Sequence, residues 1–306
     1  MAGYRIAAVP PHSAVPLASM GGWDRRVFAA LVAGSMMAGL LPDSRAEGAP
    51  PTPATACQSE LTGTGKVAAV IDGRSFVLDD GREVRIAAVE VPLLPAPGET
   101  GPAAEAGLAA RAALMALVAS QNVELRQPRA GAAADRYGRI VAHVHLTENG
   151  PKTSGGTSVA HELLAKGHAR VAAEVGDRAC AAEFLARERA AREAKLGLWG
   201  ERYYAIVGAE SWAELLAERG RFTVVEGKVL SVRESGGTIY MNFGRRWSQA
   251  LTVTVLKRHE RSFTAAGLSP KSLENRRLRV RGWVEERNGP RIEATRPEQI
   301  EIAEYN

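Results

Sequence analysis

The chain has 306 residues, 45% of them hydrophobic and 24% charged, with a formal net charge of +5. That composition excludes a disordered or fibrous class and leaves room for two domains with separate cores. The surplus lies mainly in the C-terminal third, where residues 206–306 carry 17 Lys/Arg against 13 Asp/Glu. A surplus of that size is compatible with polyanion binding and does not argue for it alone.

In chain order, Arg25 and Arg26 precede an apolar run from Val27 to Leu41, and Ser44 and Ala46 follow as small residues. This is the layout of a secretory signal peptide over residues 1–46, with cleavage expected after about Ala46. An uncleaved N-terminal anchor is the alternative. Export to a periplasmic or extracellular space follows from the signal, with no stable membrane span once it is cleaved. Residues 47–62 read as a Pro/Ala-rich linker. The two cysteines, Cys57 and Cys180, both lie in the exported part, where a disulfide can form. Such a bridge would close a loop of about 120 residues and contribute at most about 5 kcal/mol. Two unrelated free thiols are the other reading.

Gly65 to Leu78 reads as a strand, Asp80-Gly81 as a hairpin turn and Glu83 to Val89 as the returning strand. A Pro-rich loop, Leu93 to Pro102, leads into a helix from Ala103 to Ala119. Strands are expected at Val123–Gln127 and Ile140–Leu146, a short helix at Ser158–Lys166 and a long charged helix at Ala179–Lys195. Gly167 and Gly197 close the two helices. Strands and helices intersperse without βαβ regularity, which predicts an α+β, mostly β fold built on a small barrel.

Residues 201–221 read as a helical connector. From Phe222 to about residue 304, five short strands, turns at Gly236-Gly237 and Asn288-Gly289 and a helical piece at Ser262–Ala266 suggest a second small barrel of the OB type.

The ordered set VIDGRSF, VRIAAVEVP, DRYGR, AKGHARV and AAREAKLGLW, spread over residues 63–200, resembles the staphylococcal nuclease (thermonuclease) family. The unit at 222–304 resembles, more loosely, the small β domain that follows thermonuclease-like domains in some bacterial exported proteins. The first resemblance implies a five-stranded OB barrel with three helices and, in active members, Ca²⁺-dependent cleavage of DNA and RNA. That chemistry needs oxygen ligands for a hard cation, a base for water and guanidinium groups for the phosphate. By this resemblance Arg85 and Arg139 hold the two phosphate-binding positions, as planar forks suited to bidentate contacts. Arg74 stands where the family carries a metal-binding aspartate. Glu90 occupies the other metal carboxylate position, and Asp72 is read mainly as a turn-capping residue. Leu93 replaces the glutamate that activates water, and Val91 a threonine of the same loop; leucine cannot accept a proton. Glu99, further along the loop, is the one candidate substitute.

His143 and His145 share a strand face, read as solvated rather than metal-binding. In the second unit Tyr240, Phe243 and Trp247 interleave with Arg245 and Arg246. They form either a single-strand binding face or core aromatics with a basic rim. The leading reading is an exported, degenerate nuclease that keeps its phosphate-binding arginines, needs no cofactor and binds nucleic acid, another polyanion or an envelope partner. A metal-dependent phosphodiesterase, with Ca²⁺ held by rearranged ligands among Glu90, Asp72 and Glu99, is the first alternative. A structural protein-interaction module is the second.

Overall fold

The computed structural model describes residues 57, 59–128, 132–147, 156–176 and 178–303. The expected signal segment and nearly all of the linker lie outside them. In chain order the first half contains β1 (Ser59–Val70), β2 (Ser75–Leu78), β3 (Glu83–Ile86), β4 (Val89–Glu90), α1 (Pro102–Val118), β5 (Asn122–Pro128), β6 (Ile140–Leu146), α2 (Val159–Ala165), β7 (Arg170–Val171) and α3 (Arg178–Glu193). Five strands close into a barrel in the order β1-β2-β3-β6-β5. Inward aliphatics such as Val67, Leu78, Val84, Ile86, Leu125 and Val144 fill it, and α1 to α3 add Leu114, Leu163 and Phe184 to the same core. The expected barrel with three helices is therefore present.

Two strand readings need correction. Gly65–Leu78 is not one strand: the chain turns at residues 71–74, because the Asp72 carboxylate accepts the Arg74 backbone N–H at 2.8 Å and closes the turn. Likewise Glu83–Val89 divides into β3 and β4 at Ala88, whose φ of 67° interrupts the pleat. The helix readings hold to within two residues. Ser158 caps α2 by accepting the His161 backbone N–H, and Gly167, at φ 71°, follows its end.

The second half contains β8 (Val207–Gly208), α4 (Trp212–Ala217), β9 (Phe222–Lys228), β10 (Ser231–Ser235), β11 (Thr238–Asn242), β12 (Thr252–Leu256), α5 (Glu260–Ala265), β13 (Arg277–Trp283), β14 (Glu285–Glu286), β15 (Pro290–Glu293) and β16 (Ile300–Ile302). They form a five-stranded sheet, β10-β11-β12-β15-β14, and a four-stranded sheet, β16-β13-β9-β8, around one apolar core. A second β unit was expected, but it has more strands than the five read from sequence. Three of them, β8, β14 and β16, are two or three residues long, too short to show alternation, and a fourth arises because the stretch from Phe222 breaks into β9 and β10 at residues 229–230. The stretch expected as a helical connector also supplies β8, which pairs in parallel with β9. Gly236 and Gly237, both at positive φ, make the two-residue turn between β10 and β11.

Two covalent and ionic clasps organise these units. Cys57, two residues before β1, forms a disulfide with Cys180 of α3. Arg281 of β13 is fully buried and gives both guanidinium nitrogens to Glu188 of α3, at 2.8 and 3.0 Å. It also bonds the Val171 carbonyl at 3.2 Å and Glu301, while Arg192 bonds Glu188 at 3.1 Å. The same Glu188 carboxylate accepts the Val171 N–H at 2.6 Å. Burial pushes the Glu188 carboxyl up, but Arg281, the Val171 N–H and Arg192 together outweigh it and hold it below the usual carboxylate range. A buried charge is tolerable only when paired in this way. The network therefore fixes β7 of the barrel unit against β13 of the C-terminal unit.

Candidate phosphate-binding site

The site grows from β2, β3, β4 and the 135–139 loop. Parallel pairing of β3 with β6 sets Arg85 opposite Val141, and antiparallel pairing of β2 with β3 sets Arg85 opposite Ser75. The loop just before β6 is closed on itself. Asp135 accepts the backbone N–H groups of Tyr137 and Arg139 at 2.9 and 3.1 Å, and the Arg139 Nε at 2.8 Å. Burial raises the Asp135 carboxyl, and these bonds more than offset it, so the group titrates below its ordinary range. Tyr137 lies under the guanidiniums of Arg136 and Arg139, at 4.9 and 5.3 Å.

Arg74, Arg85 and Arg139 meet Glu90 and Asp135 in one cluster. Arg74 Nη1 donates to Glu90 Oε2 and, at 3.3 Å, to the Val89 carbonyl. Arg85 approaches Glu90 Oε1 at 3.6 Å and Asp135 at 3.9 Å, both beyond hydrogen-bond length. Its side chain makes no hydrogen bond among the described residues, so its donors remain available. Burial, followed by the neighbouring Arg74, lowers the Arg85 pKa from its ordinary value. Three guanidiniums against two carboxylates leave one positive charge in excess.

Carboxylates do not converge here. Asp72 is committed to the turn, and Glu99 accepts the Ala96 backbone N–H at 2.9 Å on the exposed loop. Among the described residues no three His, Cys, Asp or Glu side chains gather as a metal would need. Calcium does not fit this arrangement: Arg74 holds one oxygen of Glu90 and Arg85 faces the other. Leu93 is 78% exposed. It neither packs in the core nor offers a group that could move a proton.

The remaining candidates separate. His143 is buried against Phe184, with ring centroids 5.5 Å apart, which corrects the solvated-face reading. The helices packed on β6 close that face. His145 bonds the Gly156 carbonyl at 2.9 Å through Nδ1. In the C-terminal unit Phe243 belongs to the core, Tyr240 is half-buried, and Arg245, Arg246 and Trp247 are exposed. The five residues therefore do not form one continuous face.

Sequence reasoning missed a second set. A cleft of about 320 Å³ is lined by Arg85, Glu90, Asp135 and Trp283, among others. Another of about 370 Å³ is lined by Arg74, Glu90, Leu93, Arg170, Tyr203 and Trp283. Glu90 and Trp283 border both, so the site lies between the barrel and the C-terminal unit. The sequence signal was the strand RRLRVRGW, where Arg277, Arg279, Arg281 and Trp283 fall on one face at a spacing of two.

Residues 83–201 match the family described as Staphylococcal nuclease homologue. The matched segment holds Arg85, Glu90, Leu93 and Arg139, and begins after Arg74. Comparison with curated proteins gives no match. No helix among the described residues is long and apolar enough to cross a membrane.

Proposed function

For a chain that carries a staphylococcal-nuclease-like domain, with residues 83–201 matching that family, we propose a role as an exported, degenerate nuclease that binds nucleic acid or another polyanion without cleaving it. One observation carries this reading: the Arg74 guanidinium occupies Glu90 from within the chain. An internal cation then stands where the resemblance places Ca²⁺, and a permanent positive charge remains beside Arg85. The exposed Leu93 supports the loss of base catalysis, whose absence alone typically costs about 10²–10⁴-fold. The grip falls to Arg85, with its uncommitted donors, and to Arg139, oriented by Asp135. The disulfide supports export, since such bridges persist in oxidising compartments.

The reading expects no cleavage of denatured DNA with Ca²⁺, and no thermal shift with Ca²⁺, Mn²⁺ or Zn²⁺. It also expects salt-dependent polyanion binding, weakened at least about tenfold in Arg85→Ala plus Arg139→Ala. Calcium-dependent turnover, or binding indifferent to that double variant, would overturn it. The commitments of Asp72 and Glu99 to their turns count against a rearranged metal site.

A further inference from the structure

Trp283 comes from β13 of the C-terminal unit, yet it borders both clefts beside Glu90 and is 50% exposed. Phe222 meets it edge to face, with ring centroids 6.1 Å apart. Across the second cleft, Tyr203 is 40% exposed, and the Arg221 guanidinium lies 3.7 Å from its ring centroid. Two accessible rings therefore flank a cavity large enough for a nucleobase.

Arg170 supplies the charge. It lines the second cleft and is only 7% exposed. Its guanidinium rests against the rings of Tyr204 and Phe222, 5.3 Å from each centroid. Its Nε has no hydrogen-bond partner, and no carboxylate lies within ion-pair distance of it, among the described residues. Burial lowers the Arg170 pKa, and Glu188 and Glu90 offset that in part from beyond ion-pair distance, so the cation is incompletely compensated. Its place beneath an open cleft is suited to an anionic oxygen delivered by a ligand. Glu90, on the ridge between the clefts, is offset by Arg74.

We propose that a single-stranded nucleic acid crosses this ridge, with one phosphate at Arg85, a base stacked on Trp283 and a neighbouring phosphate at Arg170. Aromatic faces alternating with arginines suit single strands, whose bases are free to stack on side chains; duplex bases are already stacked on one another. The inference rests on the polyanion-binding reading and narrows it to one ligand class read by both units.

The test uses anisotropy of a labelled oligothymidylate of about 12 nucleotides, within the usual span of such sites. A duplex of equal length and heparin serve as competitors. Trp283→Ala is expected to weaken single-strand binding about tenfold and leave heparin binding unchanged, while Trp283→Phe retains most of the affinity. Arg170→Gln should lower the slope of log affinity against log salt by about one, and Trp283→Ala should leave that slope unchanged. Wild-type affinity in Trp283→Ala, or equal loss of oligonucleotide and heparin, would sink the proposal. Heparin binding without oligonucleotide binding sinks it too, but spares the polyanion reading. Absence of both ends the two together.

Discussion

Two guanidinium–carboxylate clusters lie near each other in this molecule and are built to opposite ends. At Arg281, four of five N–H donors are used within the chain, and both Arg281 and Glu188 are fully buried. At Arg85 the guanidinium makes no hydrogen bond among the described residues, and its carboxylate neighbours stand 3.6 and 3.9 Å away. The first cluster has spent its hydrogen-bonding capacity on joining two units. The second has kept it facing a cleft. Arginine count and local charge do not distinguish them; the number of committed donors does.

The largest effect is expected from breaking the closed cluster. Arg281→Ala leaves the buried Glu188 with only Arg192 as a cation within 4 Å among the described residues and should cost about 3–5 kcal/mol of unfolding free energy in a urea titration. Arg281→Met together with Glu188→Leu should cost less, because the two fully buried charges leave together and Glu301 keeps Arg189 and Arg279 within 4.0 Å. Equal losses in the two variants would deny that the cluster is a buried ion pair in this sense.

A smaller effect is expected at the open cluster. Arg74→Ala removes one partner of a part-buried pair, so a loss of about 1–3 kcal/mol is expected. With Arg74 gone, Arg85 is the cation left within 4 Å of Glu90 among the described residues, with Arg170 farther off on the paired strand. Arg85 should then be drawn toward it, and polyanion affinity should fall although Arg74 itself need not touch the ligand. Unchanged affinity in Arg74→Ala would show that Arg74 does not hold Glu90 away from Arg85.

The mildest test is pH. Glu188 and Asp135 are both held below their ordinary ranges, so each contributes stability above its unfolded pKa and loses it only as pH falls through the lower folded value. Both clusters should therefore survive mild acid. His161 and His168 are held low instead, burial being the largest cause for each, with Arg187 and Lys166 adding to it. For them the unfolded chain binds protons first, so stability declines as pH drops below about 6.5. Thermal midpoints measured from pH 7.5 to 5 should fall, and His161→Leu should flatten part of that slope. A flat profile in the parent protein would show that neither imidazole is held neutral by the fold.

Much of the barrel was legible in the sequence because its signals are local. Ile140–Leu146 alternates as a strand does, Ser158 and Gly167 punctuate α2, and Asp80-Gly81 sits where β2 turns into β3. Arg85 and Arg139, which the structure brings to the same Asp135, were singled out through motif order, and the Cys57–Cys180 bridge through an even cysteine count. His143 was misread because strand alternation says which residues share a face, not what covers that face. Arg170 and Trp283 stayed hidden for a related reason: each gains its meaning from other elements, Arg170 from Tyr204 and Phe222, and Trp283 from Phe222 and the Glu90 ridge.

The sequence alone determined which chemical groups stand at each position of this protein. Arg74 cannot be an oxygen ligand, and Leu93 cannot be a base, whatever the fold. Only the tertiary structure decided where the charges point. It turned Arg74 into Glu90, left Arg85 unspent, buried Arg281 on Glu188 and set Trp283 beside the barrel's cleft. Side-chain identity is local, whereas desolvation and donor satisfaction depend on every element packed around a group, and packing brings those elements together from across the chain.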